Sequence, residues 1–128
     1  MIVVDTSALM AILLNELEAD ACSACLRDQT DVMISAGTLT EALIVATSRN
    51  VINEMVAMLD ELGLEVVPVL EADARRIGTI YAHYGKGFHA ASLNFGDCFA
   101  YALAKERNLP LLFIGSDFAL TDVKRAMN

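Results

Sequence analysis

Residues 2–14 read IVVDTSALMAILL, and this stretch decides the fold class that we predict for the chain. Its first three residues are β-branched and typical of a short buried strand, whereas residues 7–14 are apolar and typical of a packed helix. Asp5 stands between the two. If the sheet is parallel, an acid that follows a strand lies at the carboxyl edge, where α/β folds place their binding sites.

The alternation of strand and helix continues along the chain. Further strands are predicted over residues 32–34, 65–69 and 111–114, and helices over residues 7–14, 19–27, 38–49, 51–62, 72–84 and 97–107. Pro68 places the third strand at a sheet edge or ends it, and Gly63 is suited to stop the preceding helix. Strands separated by helices favour an α/β fold with a parallel sheet, which we expect to form one domain over residues 1–128.

Three more acids, Glu41, Asp97 and Asp117, fall near predicted junctions of strand and helix. Four carboxylates brought to one edge repel one another and invite a hard cation such as Mg²⁺ or Mn²⁺. The alternative for each acid is helix capping, and residues 38–41 (TLTE) fit a capping box. Four caps need not converge on one point, so the complete set favours a metal site.

Length and composition describe an ordinary folded domain. A chain of 128 residues that is 55% hydrophobic can bury a core. No apolar run is long enough to span a membrane, and the first residues lack the basic start of a signal peptide, so we expect a cytoplasmic protein. Three cysteines imply no disulfide framework, and Cys22 and Cys25 are interpreted as small buried helix residues.

The formal net charge of −8 speaks against a nucleic-acid partner, because such proteins usually carry basic patches. The objection weakens once the four acids are set aside, since removing four negative charges from −8 leaves −4. Acidity elsewhere also suits a basic protein partner. The charge therefore leaves both kinds of partner open.

Residues 83–96 are predicted to form a loop with three glycines, and its cations suit a phosphate backbone. Lys86 and His89 are the candidate substrate contacts, and the alternative is a solvated loop with incidental charge. The loop has no pattern of the P-loop or the dinucleotide fingerprint, so those sites are not indicated.

Two other α/β folds keep acids at the same edge, and specific absences speak against both. Receiver domains need a pair of acids after the first strand, where this chain has Asp5 alone. Haloacid-dehalogenase-type phosphatases need a second aspartate two residues later, and that position is Ser7.

Four segments together resemble the PIN domains, and more specifically the VapC toxins of bacterial toxin–antitoxin pairs. They are VVDTSAL (3–9), SAGTLTEAL (35–43), LNFGDCFAYALAKE (93–106) and LLFIGSDFALTDV (111–123). The resemblance implies a three-layer α/β/α sandwich with a parallel sheet of four or five strands. It also implies Mg²⁺- or Mn²⁺-dependent endoribonuclease activity, a VapB-type antitoxin as partner, and homodimers.

The resemblance assigns roles to particular residues of this chain. The implied catalytic acids, which would hold one or two metal ions, are Asp5, Glu41, Asp97 and Asp117. Ser7 matches the family's hydroxyl near the first acid, and at Ser116, a further candidate for orienting the acids, related toxins often carry asparagine. Thr6 and Ser7 also follow Asp5 directly, so either hydroxyl would cap the first helix or, alternatively, orient Asp5 or a metal-bound water. Phe88 and Ala90 also depart from the family's glycine loop, which weakens a basic grip on RNA there.

The resemblance thus implies an endoribonuclease toxin, which would hydrolyse RNA phosphodiester bonds through a cation-activated water. The alternative is a catalytically inactive PIN-like module that binds protein through an apolar face. In that case the acids would serve only as helix caps.

Overall fold

The structure, a computed structural model, describes residues 1–127. Its sheet has four strands, namely β1 (Ile2–Val4), β2 (Val32–Ser35), β3 (Glu65–Val67) and β4 (Leu111–Leu112). They lie in the order β3-β2-β1-β4, and every neighbouring pair is parallel. The prediction of a parallel sheet is confirmed, with four strands and with β3 at an edge.

Six helices and one short 3₁₀ turn surround the sheet. They are α1 (Thr6–Leu13), α2 (Ala19–Arg27), α3 (Ala36–Ser48), α4 (Ile52–Leu62), α5 (Glu71–Tyr84), α6 (Phe95–Arg107) and the turn Phe118–Leu120. Most boundaries agree with the prediction to within one residue. α3 and α6 begin two residues earlier because Ser35 and Asn94 cap them, and β3 and β4 end two residues earlier than predicted, at Val67 and Leu112.

The strands β1, β2 and β4 are buried on both faces, as expected when helices lie on either side of parallel strands, whereas the edge strand β3 is largely exposed. Val3 and Leu111 belong to the apolar cluster beneath α5 and α6, whereas Val4 and Leu112 belong to the cluster beneath α1 to α4. Neighbouring residues of one strand point to opposite faces, so both clusters draw on the same strands. The result is the predicted three-layer α/β/α sandwich.

The strand order places a crevice at the end of β1. The chain first moves outward from β1 to β2 and β3, and then returns across the sheet to lay β4 against the other side of β1. In open parallel sheets, ligands bind outside the carboxyl ends of the strands where the direction of winding reverses. Asp5 directly follows β1, and residues 115–117 lie just beyond β4, so both segments border this crevice.

The helices of the described residues 1–127 include none that is both long and apolar enough to cross a membrane.

Two glycines allow the backbone conformation to be tested, because the same substitution by alanine should have opposite effects on stability at the two positions. Gly63 ends α4 with a φ of 60°, and an added Cβ would meet nothing within 4 Å, so Gly63→Ala strains the backbone alone. We expect it to lower the free energy of unfolding by about 1 kcal/mol. Gly78→Ala should raise it by about 0.5–1 kcal/mol, because Gly78 lies inside α5 with equally free space. Urea unfolding measures both free energies. Equal effects would contradict the left-handed conformation of Gly63 and the helical conformation of Gly78.

Candidate functional site

Asp5 is buried where β1 passes into α1, and its side chain is only 3% exposed. It caps the helix, because Oδ2 accepts hydrogen bonds from the backbone N–H of Ser7 at 3.0 Å and from its hydroxyl at 2.7 Å. The other oxygen, Oδ1, is buried without a hydrogen-bond partner. Capping therefore accounts for one oxygen of Asp5 and leaves the second free for a ligand.

Ser7 connects the two strands that border the crevice. Its hydroxyl donates to Asp5 and accepts the backbone N–H of Ile114 at 3.0 Å, 107 residues further along the chain. Ile114 follows β4, so this hydroxyl ties the ends of β1 and β4 together. The structure thus places Ser7 beside Asp5, in the position that the sequence suggested.

Asp97 is the third residue of α6 and is 7% exposed. Its Oδ2 accepts the backbone N–H of Asn94 at 3.0 Å, while its own N–H donates to Asn94 Oδ1 at 2.8 Å. This reciprocal capping box holds the carboxylate in one orientation. Sequence reasoning missed Asn94, although the spacing N-x-x-D was visible in the sequence.

Glu41 lies in the second turn of α3, so the alternative that residues 38–41 form a capping box is wrong. Ser35 caps this helix instead, through its hydroxyl oxygen and the N–H of Gly37 at 3.2 Å. Glu41 Oε1 accepts the hydroxyl of Thr6 at 2.6 Å. The other oxygen occupies the space that a Cβ on Gly96 would need. Glu41 therefore reaches from α3 to α1 and to the start of α6.

Asp117 and Ser116 are exposed in the segment that follows β4. Asp117 precedes the 3₁₀ turn, but its side chain makes no capping hydrogen bond. Ser116 accepts the N–H of Ala119 through its backbone carbonyl at 3.1 Å. Of the four acids, Asp117 is thus the one that the surrounding structure holds least.

The four carboxylates act on one another. Burial raises the pKa of Asp5 to about 7, although the hydrogen bonds from Ser7 lower it. The negative charges of Asp97 and Glu41 raise this pKa further. Burial likewise raises the pKa of Asp97 to about 6, although the hydrogen bond from the N–H of Asn94 lowers it. The negative charges of Asp117 and Glu41 raise this pKa further. The structure therefore brings all four predicted acids into one electrostatic group.

The group fits a hard divalent cation by its chemistry. Carboxylate oxygens are the preferred ligands of Mg²⁺, and the unpartnered Oδ1 of Asp5 is a buried acceptor that a cation would satisfy. Within residues 1–127, no three His, Cys, Asp or Glu side chains already stand close enough to hold one ion. A bound ion would require side-chain movement, and the exposed Asp117, whose side chain makes no capping hydrogen bond, has the most freedom for it.

The glycine loop between α5 and α6 holds the two predicted substrate contacts. Lys86 and His89 are both exposed. His89 Nδ1 accepts the backbone N–H of Ala91 at 3.0 Å, and its ring packs edge-on against Tyr84 at 4.9 Å between centroids. These contacts of His89 stay within the loop and α5 and do not reach the four acids.

Asp5 gives the protein a pH-dependent stability whose sign follows from its raised pKa. The ordinary value is 3.8 and the folded value about 7, so the folded state binds this proton more tightly. The stability that this proton contributes is complete below the unfolded pKa of 3.8. It is lost as the pH rises through the folded pKa of about 7. Without divalent cations, Asp5→Asn should therefore raise the free energy of unfolding by about 2–4 kcal/mol near pH 8 and change it little near pH 4.

Urea unfolding in EDTA at the two pH values measures this effect. Asp60→Asn, an exposed acid on α4, is the matched control and should change stability equally little at both. An equal change in the free energy of unfolding for Asp5→Asn at both pH values would show that ionisation of the Asp5 carboxyl group does not destabilise the fold.

Comparison with known proteins gives the family. The PIN domain model matches residues 2–124. Ribonuclease VapC28 of Mycobacterium tuberculosis is 40% identical over 130 residues, an alignment that covers 98% of each chain. Ribonuclease VapC of Mycolicibacterium smegmatis is 43% identical over 126 residues, covering 94% of this chain and 96% of that relative.

Solved structures agree on the fold. VapC20 of Mycobacterium tuberculosis, a toxin that cleaves the sarcin-ricin loop, superposes over 100% of both chains with a TM-score of 0.80 and 14% identity. A chain of a toxin–antitoxin complex from Klebsiella pneumoniae gives a TM-score of 0.71 at 20% identity, covering 95% of this chain and 93% of that one. With the extensive sequence identity to the VapC ribonucleases, these results show that the chain belongs to the PIN-domain family and is of the VapC type.

Proposed function

We propose that this chain is a metal-dependent endoribonuclease, the toxin of a VapBC-like toxin–antitoxin pair. The observation that carries the proposal is the group of four mutually repelling carboxylates, with a free buried oxygen on Asp5, at the carboxyl edge of a PIN-type sheet. Relatives at 40% and 43% identity that carry the name of ribonuclease support the same activity here.

In this proposal Asp5 and Asp97 are the ligands held in place, and Glu41 and Asp117 complete the site for one or two ions of Mg²⁺ or Mn²⁺. A divalent cation bound there lowers the pKa of a water molecule and neutralises charge on the transferring phosphoryl group. Burial keeps the two fixed carboxylates away from bulk water, which strengthens their attraction for a cation.

Neighbouring hydroxyl and N–H groups orient three of the four acids. The hydroxyl of Ser7 holds Asp5 Oδ2, the hydroxyl of Thr6 holds Glu41 Oε1, and the N–H of Asn94 holds Asp97 Oδ2. Because burial raises the pKa of Asp5 to about 7, its carboxylate binds a proton far more readily near neutral pH than an ordinary aspartate does when no cation is present. Cation binding and proton release from Asp5 are therefore linked.

The partners follow from the family and from charge. We propose a VapB-type antitoxin, in keeping with the toxin–antitoxin complex among the structural neighbours, and the net charge of −8 suits a basic partner. We also propose a homodimer, a cytoplasmic location, and an RNA substrate that touches the exposed Lys86 and His89.

Asp97→Asn tests the activity. The change keeps the capping box, since an amide oxygen still accepts the N–H of Asn94, but it removes a charged ligand. We expect wild-type protein to cut a pool of transfer and ribosomal RNA into discrete fragments with Mg²⁺ or Mn²⁺, to cut none with EDTA, and Asp97→Asn to lose at least about 100-fold in rate. Asp60→Asn should cut like wild type, and normal cleavage by Asp97→Asn would overturn the assignment.

Thermal unfolding separates the enzyme from a catalytically inactive binding module. A working site binds the folded state alone, so Mn²⁺ should raise the Tm of the wild type by mass action and raise that of Asp97→Asn less. Absence of both cleavage and Mn²⁺ stabilisation would favour the module, with the acids serving as caps.

Gly96→Ala tests the position of Glu41. The added Cβ overlaps the Glu41 carboxylate, which lies at the end of a flexible side chain and can move away, so the fold should survive. We expect unchanged or slightly higher stability in EDTA, because alanine favours a helix. Cleavage should nevertheless fall about 10- to 100-fold as Glu41 is displaced. Gly78→Ala is the matched control, and wild-type activity for Gly96→Ala would show that Glu41 has no need of its observed place.

A further inference from the structure

An apolar cavity of about 310 Å³ lies beside the acidic group, between α3 and the start of α6. Its rim carries two large side chains that are unusually exposed, Phe95 at 76% and Ile44 at 61%. Phe99 and Gly37 line its interior. Large apolar side chains that border a concave surface commonly mark a binding site.

Close packing behind the rim fixes the shape of this cavity. The ring of Phe99 meets that of Phe95 edge to face, with centroids 5.1 Å apart and planes at 78°. Phe99 also occupies the space that a Cβ on Gly37 would need, so it lies directly against the backbone of α3. Phe95 therefore rests on a fixed neighbour and presents the rest of its ring to solvent.

The cavity and the acidic group share a wall. Glu41 and Gly96 line the cavity, and the Glu41 carboxylate also raises the pKa of Asp5 and of Asp97. Phe95 precedes Asp97 by two residues, and Ile44 lies one turn after Glu41. A molecule that reacts at the acids would thus place its neighbouring group at this cavity.

We propose that the cavity binds a nucleobase of the RNA substrate, next to the phosphate that is cleaved, by stacking it on Phe95. This inference rests on the proposed ribonuclease function and names a part of its substrate site. A base has a flat, uncharged face, which suits an aromatic rim, whereas a phosphate would be repelled by Glu41. The size of the cavity is sufficient for one base.

The charge of the protein favours the same occupant. Proteins that bind single-stranded nucleic acid combine a basic groove with aromatic side chains on which bases stack. This chain carries 17 acidic against 9 basic residues, so ionic contacts to the backbone can contribute little overall. Stacking then has to supply a larger share of the affinity, and binding should depend only weakly on salt.

The experiment compares Phe95→Leu, which keeps apolar bulk but loses the aromatic face, with Phe95→Tyr, which keeps the face. Leu17→Ala removes an exposed apolar side chain that follows α1, away from the site, and is the control. Cleavage of a short single-stranded RNA of mixed sequence is measured with Mn²⁺. We expect Phe95→Leu to raise KM about 5- to 30-fold with a smaller change in kcat, as loss of one stacked base predicts. Leu17→Ala should match wild type, and Phe95→Tyr should raise KM much less than Phe95→Leu does, because it keeps the aromatic face.

Equilibrium binding separates this inference from the proposed function. In the Asp97→Asn background, the same RNA is prepared with one base removed at successive positions. One such abasic RNA should bind less tightly than the intact RNA, and adding Phe95→Leu should abolish that difference. If wild type fails to cleave RNA, the proposed function fails, and this binding comparison still decides the stacking.

Two results would overturn the inference. The first is cleavage by wild type together with an unchanged KM for Phe95→Leu and equal binding of all the abasic RNAs. The second is a change of oligomeric state in Phe95→Leu, seen by sedimentation, since the rim would then be a contact between copies of the chain.

Discussion

The burial of the Asp5 carboxylate at the end of β1 is the constraint around which this site is arranged. A charge removed from water is costly unless it is paired, and Ser7 satisfies only one of the two oxygens. Nearby acids increase the cost, so the pKa of Asp5 rises to about 7. The fold thus stores an unfavourable arrangement of like charges at the one edge where a cation would relieve it.

Hydrogen bonds hold three of the four acids and tie separate parts of the chain together at this edge. Thr6 of α1 binds Glu41 of α3, Asn94 holds Asp97 at the start of α6, and Ser7 also joins the segment after β4. These hydrogen bonds hold three of the four carboxylates against their mutual repulsion, and a bound ion would still have to order Asp117. Gly96 leaves room for the Glu41 carboxylate, because any larger residue at this position would displace it.

The acidic carboxylate group and the aromatic cavity both bear on how a protein with an excess of acids could bind RNA. A nuclease with an excess of acids cannot rely on a general attraction for phosphate, and its cations must be local. A bound metal would supply positive charge at the reacting phosphate, and Phe95 offers a contact that does not depend on charge. Specificity for a base beside the cut would follow from this arrangement without a basic groove.

Local pattern determined a large part of this protein. Hydrophobic periodicity and the strand–acid–helix junctions were enough to predict the parallel sheet, the three layers and the candidate acids, since these depend on neighbours in sequence. Only the tertiary structure decided that Glu41 meets Thr6 rather than capping α3, and that Phe95 and Ile44 border one cavity. Those contacts join residues 35 to 51 positions apart, so they depend on strand order and helix packing that no local pattern specifies.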